Sequence, residues 1–193
     1  MICDDIETVA ANSFRNFHAK GLDYLCIQRS AVLTVKAYFY SGSVQAPEVV
    51  CPHDHRYPFS TTILSGHSSH YRYSAEDNRA QCAKYQRFEW STPLNGGRGH
   101  TWVGESILAP WKPERYGRGG TYWCEADEIH TISIDAPDTV LLLVQHADVV
   151  PMFKPTLTFV PGDSQNPPSL DGLYERMDVD YARKLLRHVE QLT

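Results

Sequence analysis

The sequence predicts an all-β fold, an antiparallel sandwich or barrel with a short helix near each end. Three observations predict it. Many short segments alternate apolar and polar residues, the period of a half-buried strand. Glycine- and proline-containing turns separate them, and no stretch with helical periodicity lies between them. At 193 residues the chain is expected to fold as one domain over 1–193. Within it, 1–21 would hold the first helix, 22–160 the β-structure, and 161–193 an extended connector and a final helix.

Each element has its own signal. Asp4 to Lys20 reads as a helix, with Asp4 and Asp5 at its N-terminus, Ile6, Val9, Ala10, Phe14 and Phe17 on one side, and Gly21 to end it. Val32 to Tyr40 sets Leu33, Val35, Ala37 and Phe39 against Thr34, Lys36, Tyr38 and Tyr40, a strand with one buried face. Further strands are expected at Phe59–Leu64, His67–Tyr73, Tyr85–Trp90, His100–Leu108, Thr121–Trp123, Ile129–Ile134 and Thr139–Gln145. Gly66, Asn95-Gly96-Gly97, Gly117–Gly120 and Ala136-Pro137-Asp138 supply turns. Pro161, Pro167 and Pro168 mark the connector. Asp178 can cap a helix from Val179 to Leu192, whose apolar stripe is Ala182, Leu185, Leu186, Val189 and Leu192.

Composition narrows the class. Hydrophobic residues make up 42% and charged residues 21%, values of an ordinary globular protein. A net charge of −5 gives no electrostatic reason to expect nucleic acid or an anionic membrane as partner. The longest aliphatic run, Val140–Val144, is too short to span a bilayer, and the acidic start lacks the pattern of a signal peptide. The five cysteines (Cys3, Cys26, Cys51, Cys82, Cys124) are odd in number and lack Cys-x-x-Cys spacing, as in a reducing compartment. The expectation is a cytoplasmic protein.

Cys51-Pro52-His53-Asp54-His55-Arg56 is the most informative hexapeptide. On a strand, His53 and His55 project from one face, about 7 Å apart at Cα, and two imidazoles can then reach one metal ion with bonds of about 2.1 Å. Asp54 and Arg56 would point the other way, which argues against a His-x-Asp iron triad of the 2-oxoglutarate type. The inward parity continues through Tyr57, Phe59, Thr61 and Ile63, so the pair would sit at the mouth of an apolar interior.

This stretch resembles the first motif of the cupin superfamily, G(X)5HXH(X)3–4E(X)6G. His53, His55 and Gly66 fall at its offsets, with Pro47 at the leading glycine and Phe59 at the glutamate. The second motif, G(X)5PXG(X)2H(X)3N, is matched at Gly119 and His130, while Glu125, Asp127 and Ile134 replace its other residues. The resemblance implies a double-stranded β-helix, a jelly-roll barrel with a metal in its mouth, and makes His130 the third ligand. The alternation of Ile129–Ile134, which puts His130 with Ile132 and Ile134, agrees with an inward-facing His130. Replacement of the motif glutamate leaves three neutral histidines. Relatives with such sites include thiol, β-diketone and gentisate dioxygenases that use ferrous iron, so the resemblance implies Fe(II), with Zn, Ni, Cu or Mn as alternatives.

Glu125, His67 and Tyr57 are the candidate catalytic residues. Glu125 could be a fourth ligand, a general base or a turn carboxylate beside Asp127 and Glu128. His67 and His70 take opposite faces of one strand, and either could line the pocket. Tyr57, Tyr122 and Trp102 are candidate pocket walls. His100 and His146 flank strands, Arg56 could bind a substrate carboxylate, and Cys51 and Cys124 could lie near the metal without spacing that argues for ligation. Gly117–Gly120 lacks the lysine and helix of a phosphate loop. The leading expectation is a ferrous dioxygenase acting on a small organic molecule with O2. Competing expectations are a non-redox metal lyase or isomerase, and a non-catalytic small-molecule sensor. A two-fold homodimer is the default assembly.

Overall fold

The computed structural model describes residues 4–40, 51–75, 81–92, 96–151 and 153–193. Cys3, Pro47 and Asn95, each used in the sequence reading, lie outside the described residues. The described residues form helix α1 (Ile6–Ala11), thirteen strands and helix α2 (Val179–Leu192). The strands are β1 (Phe14–Arg15), β2 (Leu22–Arg29), β3 (Leu33–Tyr40), β4 (Phe59–Ser65), β5 (His67–Ser74), β6 (Ala83–Ser91), β7 (Gly99–Pro110), β8 (Glu114–Gly117), β9 (Thr121–Cys124), β10 (Ile129–Ile134), β11 (Val140–His146), β12 (Thr156–Pro161) and β13 (Glu175–Arg176).

The strands form two antiparallel sheets. One has the order β13-β1-β2-β3-β11-β4-β9, the other β10-β5-β7-β6-β12, with β8 added beside β5. Their facing sides share one interior, where Phe59, Tyr122 and Leu143 of the first sheet meet Ile132 of the second, and Leu22 and Tyr40 meet Ile132 and Ile134. The two-sheet jelly-roll sandwich is the all-β class expected, but its sheets stay open at their edges and do not close into a barrel.

The outer face of the first sheet is covered by both helices. Val9, Ala10, Ala182, Leu185 and Val189 pack on Leu25, Ile27, Ala37 and Phe39. α2 keeps the bounds expected from its stripe, with the Asp178 carboxylate accepting from the Tyr181 backbone N–H at 2.8 Å. Among the described residues no helix is long and apolar enough to cross a membrane.

Two readings change. The first helix ends at Ala11, well short of Lys20. Ser13 turns its hydroxyl back to the Val9 carbonyl at 2.6 Å and accepts from the Cys26 N–H at 2.9 Å, so the chain leaves the helix and enters β1. Asn16 (φ 51°), His18 (φ 64°) and Gly21 (φ 82°) then take left-handed conformations that no helix holds. In β3 the apolar side, Ala37 and Phe39, faces the helices, and the side expected to meet solvent, with Lys36 and Tyr38, faces the sandwich interior. Both sides of this central strand are therefore covered, and Lys36 is only 4% exposed.

Candidate metal centre

The His53–His55 segment is not a strand. Pro52 and Pro58 lack the N–H groups a ladder needs, and β4 begins only at Phe59. The segment instead lies between β10 and β12. His53 exchanges two backbone hydrogen bonds with His130, both 2.9 Å, the Pro52 carbonyl accepts from Phe159 N–H at 2.8 Å, and Asp54 N–H donates to Leu157 O at 3.1 Å. This pairing sets His53 beside His130, which the alternation of β10 points inward with Ile132. His55 is held by its N–H to Ala126 O at 2.8 Å, and its ring lies edge-on to Phe59 at 5.0 Å. Phe59, at the motif glutamate's position, thus forms an apolar side of the centre, 5.4 Å from the His130 ring.

The three imidazoles converge. One nitrogen from each of His53, His55 and His130 lies within 4.8 Å of the other two. Nε2 of His55 and Nε2 of His130 are 2.9 Å apart. Two nitrogens bound at right angles to one ion, each about 2.1 Å from it, stand about 3.0 Å apart, so this spacing matches a shared cation. The His53 Nδ1 is 2.8 Å from the Cys51 carbonyl. A carbonyl only accepts, so the proton sits on Nδ1 and the lone pair on Nε2. Protein displaces most of the water around all three rings. That burial, reinforced at His55 and His130 by the charge of His53, holds their pKa values below the ordinary histidine range and leaves them neutral donors.

His70, which the sequence named beside His67 as a possible pocket residue while His67 was taken as the catalytic candidate, completes the centre. It is 1% exposed, its Nε2 is 3.0 Å from His130 Nδ1, and its ring stacks on Tyr122 at 4.2 Å. For His130 to offer its Nε2 lone pair, its Nδ1–H must donate to His70 Nε2, so His70 carries its own proton on Nδ1. That Nδ1 is buried and has no hydrogen-bond partner. Only the β5–β10 register, which sets His70 opposite Ile132, reveals the placement. His70, Cys124 and His130 form a second close group. Burial raises the Cys124 thiol well above its ordinary pKa, and its Sγ lies 3.6 Å from the Glu128 carboxylate, so it rests as a neutral thiol.

The other candidates scatter. Glu125 is exposed and accepts from Trp123 Nε1 at 2.8 Å, away from the three rings. His67 is exposed, at the outer end of β5 beside Gly117. Tyr57 joins the site: its ring is 5.1 Å from that of His55, and it accepts from Lys36 Nζ at 3.3 Å. Lys36 also donates to Gln145 Oε1 at 2.8 Å, and burial lowers its pKa to about 7. Asp54 turns away and accepts from Leu157 N–H at 2.7 Å. Arg56 is occupied by Asp148, Val150 O and Lys154 O. Trp102 is 39% exposed and donates to Gln86, and His146 rests near Trp123. A cavity of about 810 Å³ opens onto His53, His55 and Tyr57, with Cys51 and His100 also in its wall.

The two sheets form a jelly-roll sandwich with three histidines gathered between them. No protein-family model matches the chain, and no curated protein does. Solved structures similar to it include the polyketide cyclase RemF from Streptomyces resistomycificus, at 13% identity over 86% of this chain and 89% of that one, TM-score 0.46. An RmlC-like cupin from Shewanella frigidimarina shares 8% identity over 71% and 85% of the two chains, TM-score 0.39. The hydroxypropylphosphonic acid epoxidase from S. wedmorenis shares 11% identity over 76% of this chain and 59% of that one, TM-score 0.44.

Proposed function

We propose that this protein is a metal-dependent cupin enzyme whose His53, His55 and His130 hold one divalent ion, and that it is a ferrous dioxygenase acting on a small organic molecule. The observation that carries the metal is the 2.9 Å approach of two neutral Nε2 atoms, with the third ring's tautomer set by the Cys51 carbonyl. Imidazole donors suit iron as they suit zinc, nickel or copper, and manganese less well. When bound, ferrous iron would supply the one-electron chemistry that lets O2 react with an organic substrate. The chain's own residues do the rest. His70 orients His130, Phe59 keeps one side of the centre apolar, and Tyr57 presents its ring to the cavity beside His55.

One observation favours a second reading, lyase or isomerase chemistry without O2. The Lys36 amine, held near a pKa of about 7, hydrogen-bonds the Tyr57 hydroxyl, a pair suited to moving a proton at the cavity wall. The test is elemental analysis of the purified protein, ferrous reconstitution, and an oxygen-electrode screen of thiols, diketones and hydroxylated aromatics. Stoichiometric metal that is lost in His130→Ala, with oxygen uptake on substrate, is expected. Metal retained by His53→Ala and His130→Ala would overturn the site, and turnover under strict anaerobiosis would move the assignment to the second reading.

A further inference from the structure

The cavity above the histidines has a second wall built of rings. Trp90 lies 6.2 Å from Tyr174 at 26° and 4.5 Å from His100. His18 stands edge-on to both Trp90 (6.1 Å) and Tyr174 (5.5 Å). The His18 Nδ1 and the Tyr174 hydroxyl are 2.7 Å apart, and His100 Nδ1 is buried without a partner. Both members of the His18–Tyr174 pair hold left-handed backbone, at φ 64° and 58°. For residues other than glycine that conformation is strained and persists where the surroundings over-determine it, as at active sites and ligand clamps. Two strained residues from distant parts of the chain thus meet at one hydrogen bond in the cavity wall.

The wall also says what it does not bind. At about 810 Å³ the cavity lies in the upper part of the range for drug-sized ligands. Among the described lining residues there is no lysine, and the arginine, Arg56, is spent on Asp148 and two backbone carbonyls. Among the described residues of the wall no unpaired cationic side chain awaits the carboxylate of a small amino acid, which would also leave most of the space to water. Flat faces suit flat faces: stacked and edge-to-face ring pairs gain affinity beyond the area they bury.

We propose that this wall is the recognition surface for substrate, and that the substrate is an uncharged aromatic molecule of two or more fused rings. It would stack against Trp90, with a ring oxygen hydrogen-bonded to the His18–Tyr174 pair. This rests on the proposed function only in calling the ligand a substrate, because the stacking itself needs no metal.

Calorimetric titration of the full-length, chelator-treated protein tests it with 2-naphthol, 1,5-dihydroxynaphthalene, 2-methylnaphthalene, L-cysteine and acetylacetone as probes. The naphthols are expected to bind, and cysteine and acetylacetone are not. Trp90→Leu should weaken the naphthols about tenfold, the loss of one full stacking partner. Tyr174→Phe keeps the ring, so it should weaken 2-naphthol severalfold and leave 2-methylnaphthalene unchanged, a readout that a general loss of folding would not give. Failure of the naphthols to bind, or naphthol affinities unmoved in both Trp90→Leu and Tyr174→Phe, would overturn the proposal whatever the metal analysis shows.

Discussion

Replacing Lys36 by Met should stabilise the protein in acid and lose that advantage as pH rises. The amine is buried, it donates only to Gln145 Oε1 and Tyr57 Oη, and it sits over the rings of Tyr24 and Tyr57 at 5.6 and 5.0 Å. Among the described residues no carboxylate forms an ion pair with it. Burial therefore moves its pKa from 10.5 to about 7. Between those two values the unfolded chain binds a proton that the folded chain does not, so stability rises with pH across that window. Below about pH 7 the folded protein must keep a charged, unpaired lysine inside and carries the full penalty. From pH 6 to pH 9 the linkage relation with these two pKa values gives a swing of roughly 2–3 kcal/mol. Lys36→Met abolishes the titration but forfeits two hydrogen bonds worth about 1 kcal/mol each. The measurement is guanidinium unfolding of both proteins at pH 6, 7.5 and 9, followed by the difference in free energy. Relative to the parent, the variant should be most stable at pH 6 and fall steadily towards pH 9. A difference that stays flat across the series would refute the buried, uncompensated amine.

Three further outcomes follow from particular contacts. His70→Phe should lower affinity for the bound metal about 10–100-fold by freeing His130, as loss of such outer partners does, with His70→Gln intermediate; competition against a chelator reads it. Gly66→Ala should be far more damaging than Gly119→Ala although both have positive φ, because a Cβ at 66 would collide with the Thr139 side chain whereas one at 119 meets nothing within 4 Å. Thermal melts should place the second near the cost of about 1 kcal/mol for left-handed alanine and the first well beyond it. Arg56→Ala should release the 148–154 segment from its three bonds to that guanidinium and raise hydrogen exchange at the Val149 and Val150 amides, which donate to Arg56 O, without loss of metal.

Local pattern determined a good deal of this protein. The alternation of Ile129–Ile134 and the stripe of Val179–Leu192 reproduce the observed bounds of β10 and α2, since strand and helix periods are properties of neighbouring residues. The spacing of His53, His55 and His130 singled out three rings that the fold does bring together, even though the first two stand on a proline-bounded loop where a strand was expected. What alternation could not say is which side of a strand is inside. In β3 the apolar side serves the helices and the polar side serves the interior, so Lys36 passed for a surface residue. The choice of His70 over His67, and the His18–Tyr174 pair, escaped for a related reason. Their roles come from strand register and from contacts between residues more than fifty positions apart, at separations where a sequence carries no distance information and only packing assigns partners.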